Sequence, residues 1–368
     1  MVATITALDN LTANLDTKAR ERFDRLYEFT TSEAHVLPPP PMEDWIAKAF
    51  AYLAPTREKI LETIRRQRIV HVMNRVTGQA TLFNAIRAQR PIEAKDTSDL
   101  ETEIEAARAK CAFCRPMELT PENTFGRIGG DKTCANVAAY DGYHGLVIFE
   151  DHSPLRFRTD AFGADEVADL LATSRQWAEK ARADNPEARF FFLMWNCLWK
   201  AGASIIHGHA QMTLGRKFHY GKVERLRRDA RRYRQDHGAD YFEDLVAVHD
   251  SLGLAARWGE VTALAHLTPA KEKELILLCP ALDAPDTASA IHRALRIYAG
   301  LDVKAYNLAV YMPPLGPADA AWEGFPVLVH LVDRGDPGAK TADIGAMELY
   351  ASAVVSSDPF DLAEALKT

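Results

Sequence analysis

The sequence predicts an α+β fold, because runs typical of strands alternate with segments of helical periodicity. The chain has 368 residues, 47% of them hydrophobic and 26% charged, as in folded globular proteins. This length has room for one large domain or two of ordinary size. The net charge of −7 gives no general attraction to nucleic acids or acidic membranes. No apolar run reaches the ~20 residues that cross a bilayer.

Residues 1–69 predict a helical N-terminal extension. Helical spacing over 19–27 resumes over 44–68, after a stiff stretch of four prolines at 38–41. This region offers no chemistry, so we expect it to serve as a packing extension or an interface arm. The N-terminus has no basic segment ahead of an apolar one, and five cysteines in so long a chain do not suggest a disulfide scaffold. Both features predict a cytoplasmic protein.

The rest of the chain alternates strands and helices. A turn at Thr77-Gly78 predicts a hairpin, and Asp141-Gly142 predicts a second turn between strands over 133–136 and 145–152. Further predicted elements are helices over 165–182, 222–234, 287–300 and 344–355, and strands over 274–278, 305–311 and 327–332. The helix over 222–234 is rich in arginine, which we interpret as a solvated face rather than a nucleic-acid surface.

The stretch 190–214 carries the strongest chemical signal. Read as a strand, its end alternates strictly, and His207, His209 and Gln211 share one face. Two imidazoles and an amide are poor core chemistry, because each needs a polar partner when buried. The simpler interpretation is two histidines on a partly exposed strand.

Two further patterns involve ligands. Cys111 and Cys114 have the spacing that lets two thiolates reach one tetrahedral metal, with a redox pair or two free thiols as alternatives. Zinc would need two more ligands, which the histidines must supply. Arg87 and Arg90 lie close together and are either solvated or clamp a phosphate. His330 stands alone on its strand and predicts a core or surface residue.

These residues together resemble a known family. Asn196, Gly202, Ser204 and the segment His207-Gly208-His209-Ala210-Gln211 are similar to the active-site signature of the galactose-1-phosphate uridylyltransferase branch of the histidine-triad superfamily. That branch also holds ADP-glucose phosphorylases and diadenosine polyphosphate phosphorylases. The resemblance runs from about residue 70 to the end and includes Thr77-Gly78-Gln79 through Arg87 and Arg90-Pro91, Cys111, Cys114, Asn136, Asp151-His152-Ser153, Glu348 and the ending Pro359, Leu362, Ala363.

The resemblance implies two tandem related histidine-triad-like halves, with mainly antiparallel sheet and flanking helices. Residues 70–215 would form the catalytic half and 216–368 the second half. It implies a structural zinc held by Cys111, Cys114, His152 and His207. His209 would be the nucleophile, with Gln211 and Ser204 as catalytic partners. Arg87, Arg90, Asn136, Asn196 and Gly202 would bind nucleotide and phosphate, and Glu348 the acceptor.

The implied activity is a nucleotidyltransferase. It would move a nucleoside monophosphate from a nucleotide sugar or related diphosphate to a sugar 1-phosphate or inorganic phosphate, through a nucleotidyl-His209 intermediate. The alternatives are an ADP-glucose or dinucleoside polyphosphate phosphorylase, a nucleotide hydrolase, and a zinc-stabilised binding protein without catalysis. Gln211 argues against the hydrolase, because an amide cannot act as a general acid near neutral pH. Relatives commonly dimerise, so we also expect a homodimer.

The chain departs from the family pattern at several positions. Gly208 stands where uridylyltransferases usually have proline, and Val137 where they usually have aspartate. Some relatives have a second metal site in the C-terminal half, and of its histidines only His330 has a counterpart here, so we expect this site to be absent. A lysine that contacts the sugar phosphate has no clean counterpart, because Lys340 is displaced by two residues when Glu348 is aligned. These departures favour an acceptor other than galactose 1-phosphate.

Overall fold

The computed structural model describes residues 3–88, 99–317 and 319–368. The α-helices in these ranges are α1 (Leu8–Ala13), α2 (Thr17–Leu26), α3 (Pro40–Ala49), α4 (Arg57–Arg65), α5 (Leu100–Arg108), α6 (Pro116–Leu119), α7 (Ala164–Asp184), α8 (Gly221–His237), α9 (Tyr241–Ser251), α10 (Pro285–Gly300), α11 (Ala346–Tyr350) and α12 (Pro359–Lys367). Within the described residues, no helix is both long and apolar enough to cross a membrane.

The strands are β1 (Tyr27–His35), β2 (Arg66–Asn74), β3 (Ala80–Phe83), β4 (Thr133–Ala135), β5 (His144–Ile148), β6 (Ala188–Asn196), β7 (His209–Arg216), β8 (Ala255–Trp258), β9 (Val261–Ala265), β10 (Leu275–Cys279), β11 (Ala305–Tyr311), β12 (Val327–Gly335) and β13 (Ala353–Val355). They form two sheets. The predicted α+β class with mainly antiparallel strands is therefore confirmed.

The larger sheet joins the two predicted halves. Its strand order is β4-β5-β7-β6-β11-β12-β10-β9-β8, and every pair of adjacent strands in it is antiparallel. Strands β6 and β11 are hydrogen-bonded neighbours, with Asn196 opposite Asn307. The first four strands come from residues 133–216 and the last five from 255–335. The two halves thus share one continuous sheet, while the domain boundaries at 69 and 215 stay a prediction.

Helix α7 covers the strands that carry the candidate site. It buries Leu170, Leu171 and Trp177 and packs against α10 as well as against β5, β6 and β7. The close approach requires a glycine on β5, because a Cβ atom at Gly145 would lie 2.4 Å from the indole nitrogen of Trp177. Any larger residue at position 145 would push the helix away from the sheet.

The smaller sheet corrects the prediction for residues 1–69. Its order is β1-β2-β3-β13, so residues 27–35 form a strand within the region predicted to be helical. The predicted helical stretch over 44–68 is split between α3 and α4, and α4 ends at Arg65. Strands β1 and β2 pair along their whole length. This partnership lies outside the local sequence window, which explains why periodicity alone missed it. The predicted helix over 344–355 is also wrong, because only α11 is helical and the β-branched Val354 and Val355 pair with β3.

A buried histidine in the core gives the fold a predictable acid sensitivity. His249 on α9 is fully buried; its Nδ1 donates to the Leu245 carbonyl at 2.8 Å, and its Nε2 accepts from the Leu267 N–H at 3.2 Å. Burial, with a smaller effect of His266, lowers the pKa of His249 to about 3. The ring is therefore neutral in the folded protein and has no room for a second proton.

We expect this histidine to destabilise the protein in mild acid. As pH falls below the ordinary histidine pKa of ~6.5, the unfolded chain takes up the proton and the folded chain does not. The free energy of unfolding therefore decreases until the pH reaches the pKa of His249 in the folded protein. At pH 5 the loss is about 2 kcal/mol. Urea unfolding at pH 7 and pH 5 measures it. The His249→Asn variant, which does not titrate, should show a pH dependence smaller by that amount; an unchanged dependence would contradict the assignment.

Candidate metal and catalytic site

The four predicted metal ligands meet at one point. Cys111 and Cys114 flank a short turn after α5, His152 follows β5 by four residues, and His207 precedes β7 by two. Their ligand atoms all lie within 4.8 Å of one another. The two Nδ1 atoms are 3.3 Å apart, and Cys114 Sγ lies 3.4 Å from His152 Nδ1 and 3.6 Å from His207 Nδ1. Cys111 Sγ is 3.4 Å from His207 Nδ1.

The hydrogen bonds of His152 and His207 fix their tautomers so that each Nδ1 directs a lone pair toward this point. His152 Nε2 lies 3.0 Å from the Ile104 carbonyl oxygen, and His207 Nε2 lies 2.7 Å from that of Phe149. A carbonyl only accepts, so each Nε2 carries the proton and each Nδ1 presents a lone pair. Tetrahedral zinc with ordinary bond lengths would separate two nitrogens by about 3.3 Å and a nitrogen from a sulfur by about 3.6 Å. The observed distances fit a metal ion, and this group can therefore hold one.

The local packing explains why a glycine occupies position 208, between the two histidines. Its N–H donates to the carbonyl of His152, a predicted metal ligand, at 3.3 Å, and its carbonyl accepts from Phe149 N–H at 3.0 Å. A Cβ at position 208 would lie 2.8 Å from the Phe149 ring, which packs edge-on against Trp195. A proline here would lose the N–H and clash with the ring. The departure from the family pattern therefore matches the local packing of this chain.

His209 begins β7 as a neutral imidazole with a defined tautomer. The side chain is 6% exposed, and its Nδ1 lies 2.8 Å from the carbonyl oxygen of His207. The proton therefore sits on Nδ1, and Nε2 keeps its lone pair. Burial lowers the pKa of His209, and the bond to the carbonyl opposes this only in part. Phe113 stands edge-on at 5.1 Å between ring centres. This is the state that a nitrogen nucleophile requires.

Gln211 is oriented by a residue that the sequence analysis missed, His144. The Tyr140 N–H donates to His144 Nδ1 at 3.0 Å, so the proton of this ring lies on Nε2 and is donated to Gln211 Oε1 at 3.1 Å. The amide nitrogen of Gln211 then points away from His144. Asn136 Nδ2 also lies 3.3 Å from His144 Nε2, but both atoms are donors in this assignment, so the contact is not a hydrogen bond.

The segment between β6 and β7 carries the predicted phosphate-binding residues. Asn196 ends β6, and its Oδ1 accepts from Asn307 Nδ2 at 2.7 Å. Gly202 has φ +95°, a conformation that favours glycine, and it turns the chain back toward the sheet. Ser204 is exposed three residues before His207, one of the predicted metal ligands. The structure thus places all three residues on the connection that leads to His209.

Of the other predicted binding residues, Arg87 and Glu348 make their observed contacts away from this connection. Arg87 is exposed on a short turn beside Ile86, which packs on the helices α3 and α4. Arg90 lies outside the described residues. Glu348 accepts from the Gly345 N–H at 2.8 Å and so caps its own helix α11. The roles of these side chains in substrate binding stay predictions.

Sequence reasoning missed His144 and Asn307 because their roles depend on strand register. His144 reaches Gln211 across the β5–β7 pair, and Asn307 faces Asn196 across the β6–β11 pair. Neither pairing leaves a local motif. A polar residue inside an otherwise apolar strand was the available signal, and Asn307 between Tyr306 and Leu308 shows it.

Three solved structures share this fold. An ADP-glucose phosphorylase from Arabidopsis thaliana with bound ADP-glucose has a TM-score of 0.60 and 16% identity, over 80% of this chain and 97% of its own. A GalT-like protein from Arabidopsis thaliana has a TM-score of 0.56 and 16% identity, over 70% and 91%. A uridylyltransferase has a TM-score of 0.53 and 14% identity, over 81% and 97%.

No family model and no curated protein matches the chain. At the identities of these structures, the likeness shows the fold alone. The chain therefore has the mainly antiparallel α+β fold that these structures share, as the resemblance led us to expect.

Proposed function

We propose that this protein is a nucleotidyltransferase that works through a covalent nucleotidyl-His209 intermediate. The observation that carries the proposal is the tautomer of His209, whose Nδ1 donates to the His207 carbonyl and whose Nε2 keeps its lone pair. A buried, neutral imidazole beside an oriented amide donor is suited to attack on phosphorus. A solved structure of the same fold is an ADP-glucose phosphorylase with bound ADP-glucose, which supports a nucleotide-sugar donor here.

The reaction has two displacements. His209 Nε2 attacks the α-phosphorus of the donor, a phosphorus–nitrogen bond forms, and the bond to the bridging oxygen breaks, so that the sugar phosphate leaves with the electron pair. An oxygen of the acceptor phosphate then attacks the same phosphorus and His209 leaves as neutral imidazole. Gln211, Asn196 and Ser204 supply donors to the phosphate oxygens, on which negative charge accumulates.

Gln211 favours transfer to a phosphate over transfer to water. A leaving phosphate needs little protonation, and glutamine offers only a hydrogen bond. The bond from His144 Nε2 to Gln211 Oε1 fixes the amide so that its N–H groups are available. A hydrolase would need a proton donor at this position.

We propose that the metal is zinc, held by Cys111, Cys114, His152 and His207. Two thiolates and two imidazoles are ligands that zinc prefers, and four protein ligands leave no open position for water. When bound, the metal has a structural role and fixes the loop that precedes β7. The residues of the chain then act alone on the substrate: His207 holds the Nδ1 proton of His209 through its carbonyl oxygen.

The acceptor is a sugar 1-phosphate or inorganic phosphate. An ADP-glucose phosphorylase is the second candidate, because the solved structure with bound ADP-glucose covers 80% of this chain. In that reaction inorganic phosphate would take the adenylyl group from His209. Both candidates share the first displacement; the second fixes the donor as ADP-glucose and the acceptor as inorganic phosphate.

A panel of donors tests the proposal. UDP-glucose, ADP-glucose and a dinucleoside polyphosphate are each incubated with the protein, with and without inorganic phosphate or a sugar 1-phosphate, and the intact mass is measured. We expect one donor to add a single nucleoside monophosphate, which the acceptor removes. Turnover without an adduct, combined with intersecting initial-rate lines, would indicate direct transfer and overturn the intermediate.

The Gln211→His substitution should redirect the intermediate to water. The nucleophile remains, but a neutral histidine at position 211 can accept a proton from an attacking water, which glutamine cannot, so hydrolysis of the adduct without acceptor should rise roughly tenfold. The measurement is the decay of the labelled protein. Gln211→Asn, which keeps an amide, is the control and should show no gain in hydrolysis. Equal decay of both variants would count against the role given to Gln211.

A further inference from the structure

An amide pair joins the two halves of the chain beside the site. Asn307 on β11 faces Asn196 on β6, and its Nδ2 lies 2.7 Å from Asn196 Oδ1 and 2.8 Å from the Ala201 carbonyl oxygen. Its Oδ1 accepts a hydrogen bond from Arg334 Nη1. Three hydrogen bonds thus hold the Asn307 amide, two from its nitrogen and one to its oxygen.

The other two hydrogen-bond partners of Asn307 fix which atom of its amide is oxygen and which is nitrogen. A guanidinium only donates, so the Asn307 atom that faces Arg334 is oxygen. A carbonyl only accepts, so the atom that faces Ala201 is nitrogen. Two independent partners thus give the same orientation of the Asn307 amide. Its nitrogen then faces Asn196, and the Asn196 atom that receives this bond is oxygen.

Arg334 is itself held in place. Its Nε and Nη2 donate to the two carboxylate oxygens of Asp343 at 2.7 and 2.8 Å, a bidentate pair in which Arg334 is only 14% exposed. Asp343 lies in the segment after β12. The orientation of Asn196 therefore depends on Asn307, which is held by Arg334 of the C-terminal half and by the Ala201 carbonyl of the N-terminal half.

We infer that Asn307 is a positioning residue, which turns the Asn196 amide so that both its N–H groups face the phosphate of the substrate. The inference rests on the proposed function for its catalytic consequence. The C-terminal half thus completes the catalytic site of the N-terminal half. Arg334 and Asp343 act through Asn307 and have no contact with the reacting atoms in this assignment.

Reversing the polarity of position 307 tests the inference. The Asn307→Asp variant keeps the shape of the side chain and its hydrogen bond with Arg334. The second carboxylate oxygen now faces Asn196, so the Asn196 amide must turn its nitrogen toward position 307. We expect the rate of His209 labelling to fall by roughly 100-fold, as for the loss of one donor in the transition state, with little change in KM. The Asn307→Ala variant removes the amide without adding charge and replaces the aspartate variant if that protein does not fold. We expect it to lower the rate of His209 labelling roughly tenfold.

The Asn196→Ala background separates positioning from a structural role. If Asn307 acts through Asn196, then Asn307→Asp should have no further effect on labelling in the Asn196→Ala protein, while a structural role gives multiplying effects. Independent losses in the double variant would overturn the inference. If the wild type forms no adduct with any donor, the proposed function fails first.

The orientation is then tested without activity. Neutron diffraction from the deuterium-exchanged wild type should show deuterium on the Asn196 atom that points away from Asn307. Deuterium on the atom that faces Asn307 would overturn the inference whatever the reaction is.

Discussion

His209→Ala should abolish both labelling and turnover. No neighbouring side chain can replace the attacking nitrogen. His207 Nδ1 points to the other three predicted metal ligands, and His144 donates to Gln211. We expect the steady-state rate to fall by roughly 10⁴-fold or more, as for the removal of a nucleophile. Intact mass with the best donor and no acceptor measures the adduct. The same adduct should be labile in acid and stable in alkali, as a phosphorus–nitrogen bond is.

The control for this substitution is a histidine away from the site. His237 is exposed near the end of α8, and His237→Ala should label and turn over like the wild type. His209→Gly should regain turnover with an added imidazole-nucleotide, because the missing ring then arrives already loaded. Residual turnover of His209→Ala above a few per cent would show that His209 only binds substrate.

Loss of the metal should have the second large effect, this time on stability. Cys114→Ser removes one of four ligands and leaves the lone pairs of His152 and His207 facing one another at 3.3 Å. We expect the substitution to lower the melting temperature by roughly 10 °C and to abolish stoichiometric metal binding. Elemental analysis should find one zinc per wild-type chain, and thermal unfolding measures the stability.

Cys279→Ala is the matched control, because Cys279 is a buried core cysteine on β10 outside the metal group. It should keep the full metal content and lose far less stability. A Cys114→Ser protein that keeps one zinc per chain would rule out the proposed ligand set.

The sequence predicted that Cys111, Cys114, His152 and His207 lie together, and this clustering depends largely on short motifs. The role of His209 as nucleophile stays a prediction. Cys111 and Cys114 share a turn, and His207, His209 and Gln211 lie within five residues, so their geometry follows from local backbone. Even so, β7 begins only at His209, and His207 lies before the strand on a connection to the metal. The predicted strand alternation therefore holds from His209 onward and does not include His207.

Partners that come from distant strands could not be predicted. The contacts of His144 and Asn307 depend on the register of neighbouring strands, which is specified by packing over the whole sheet. The strand Tyr27–His35 forms because β2 pairs with it, and β2 comes more than thirty residues later. Local propensity is weak evidence where a tertiary partner decides the structure.

The central position of β6 in the larger sheet has a consequence during synthesis. Its partner β11 leaves the ribosome roughly 110 residues later, which takes roughly 6 to 20 s at ordinary translation rates. Throughout this interval the aromatic run over 190–195 presents an unpaired edge, which is a template for wrong pairing with other chains. The nascent protein is therefore exposed to aggregation in that interval, and slower elongation after residue 216 would lengthen it.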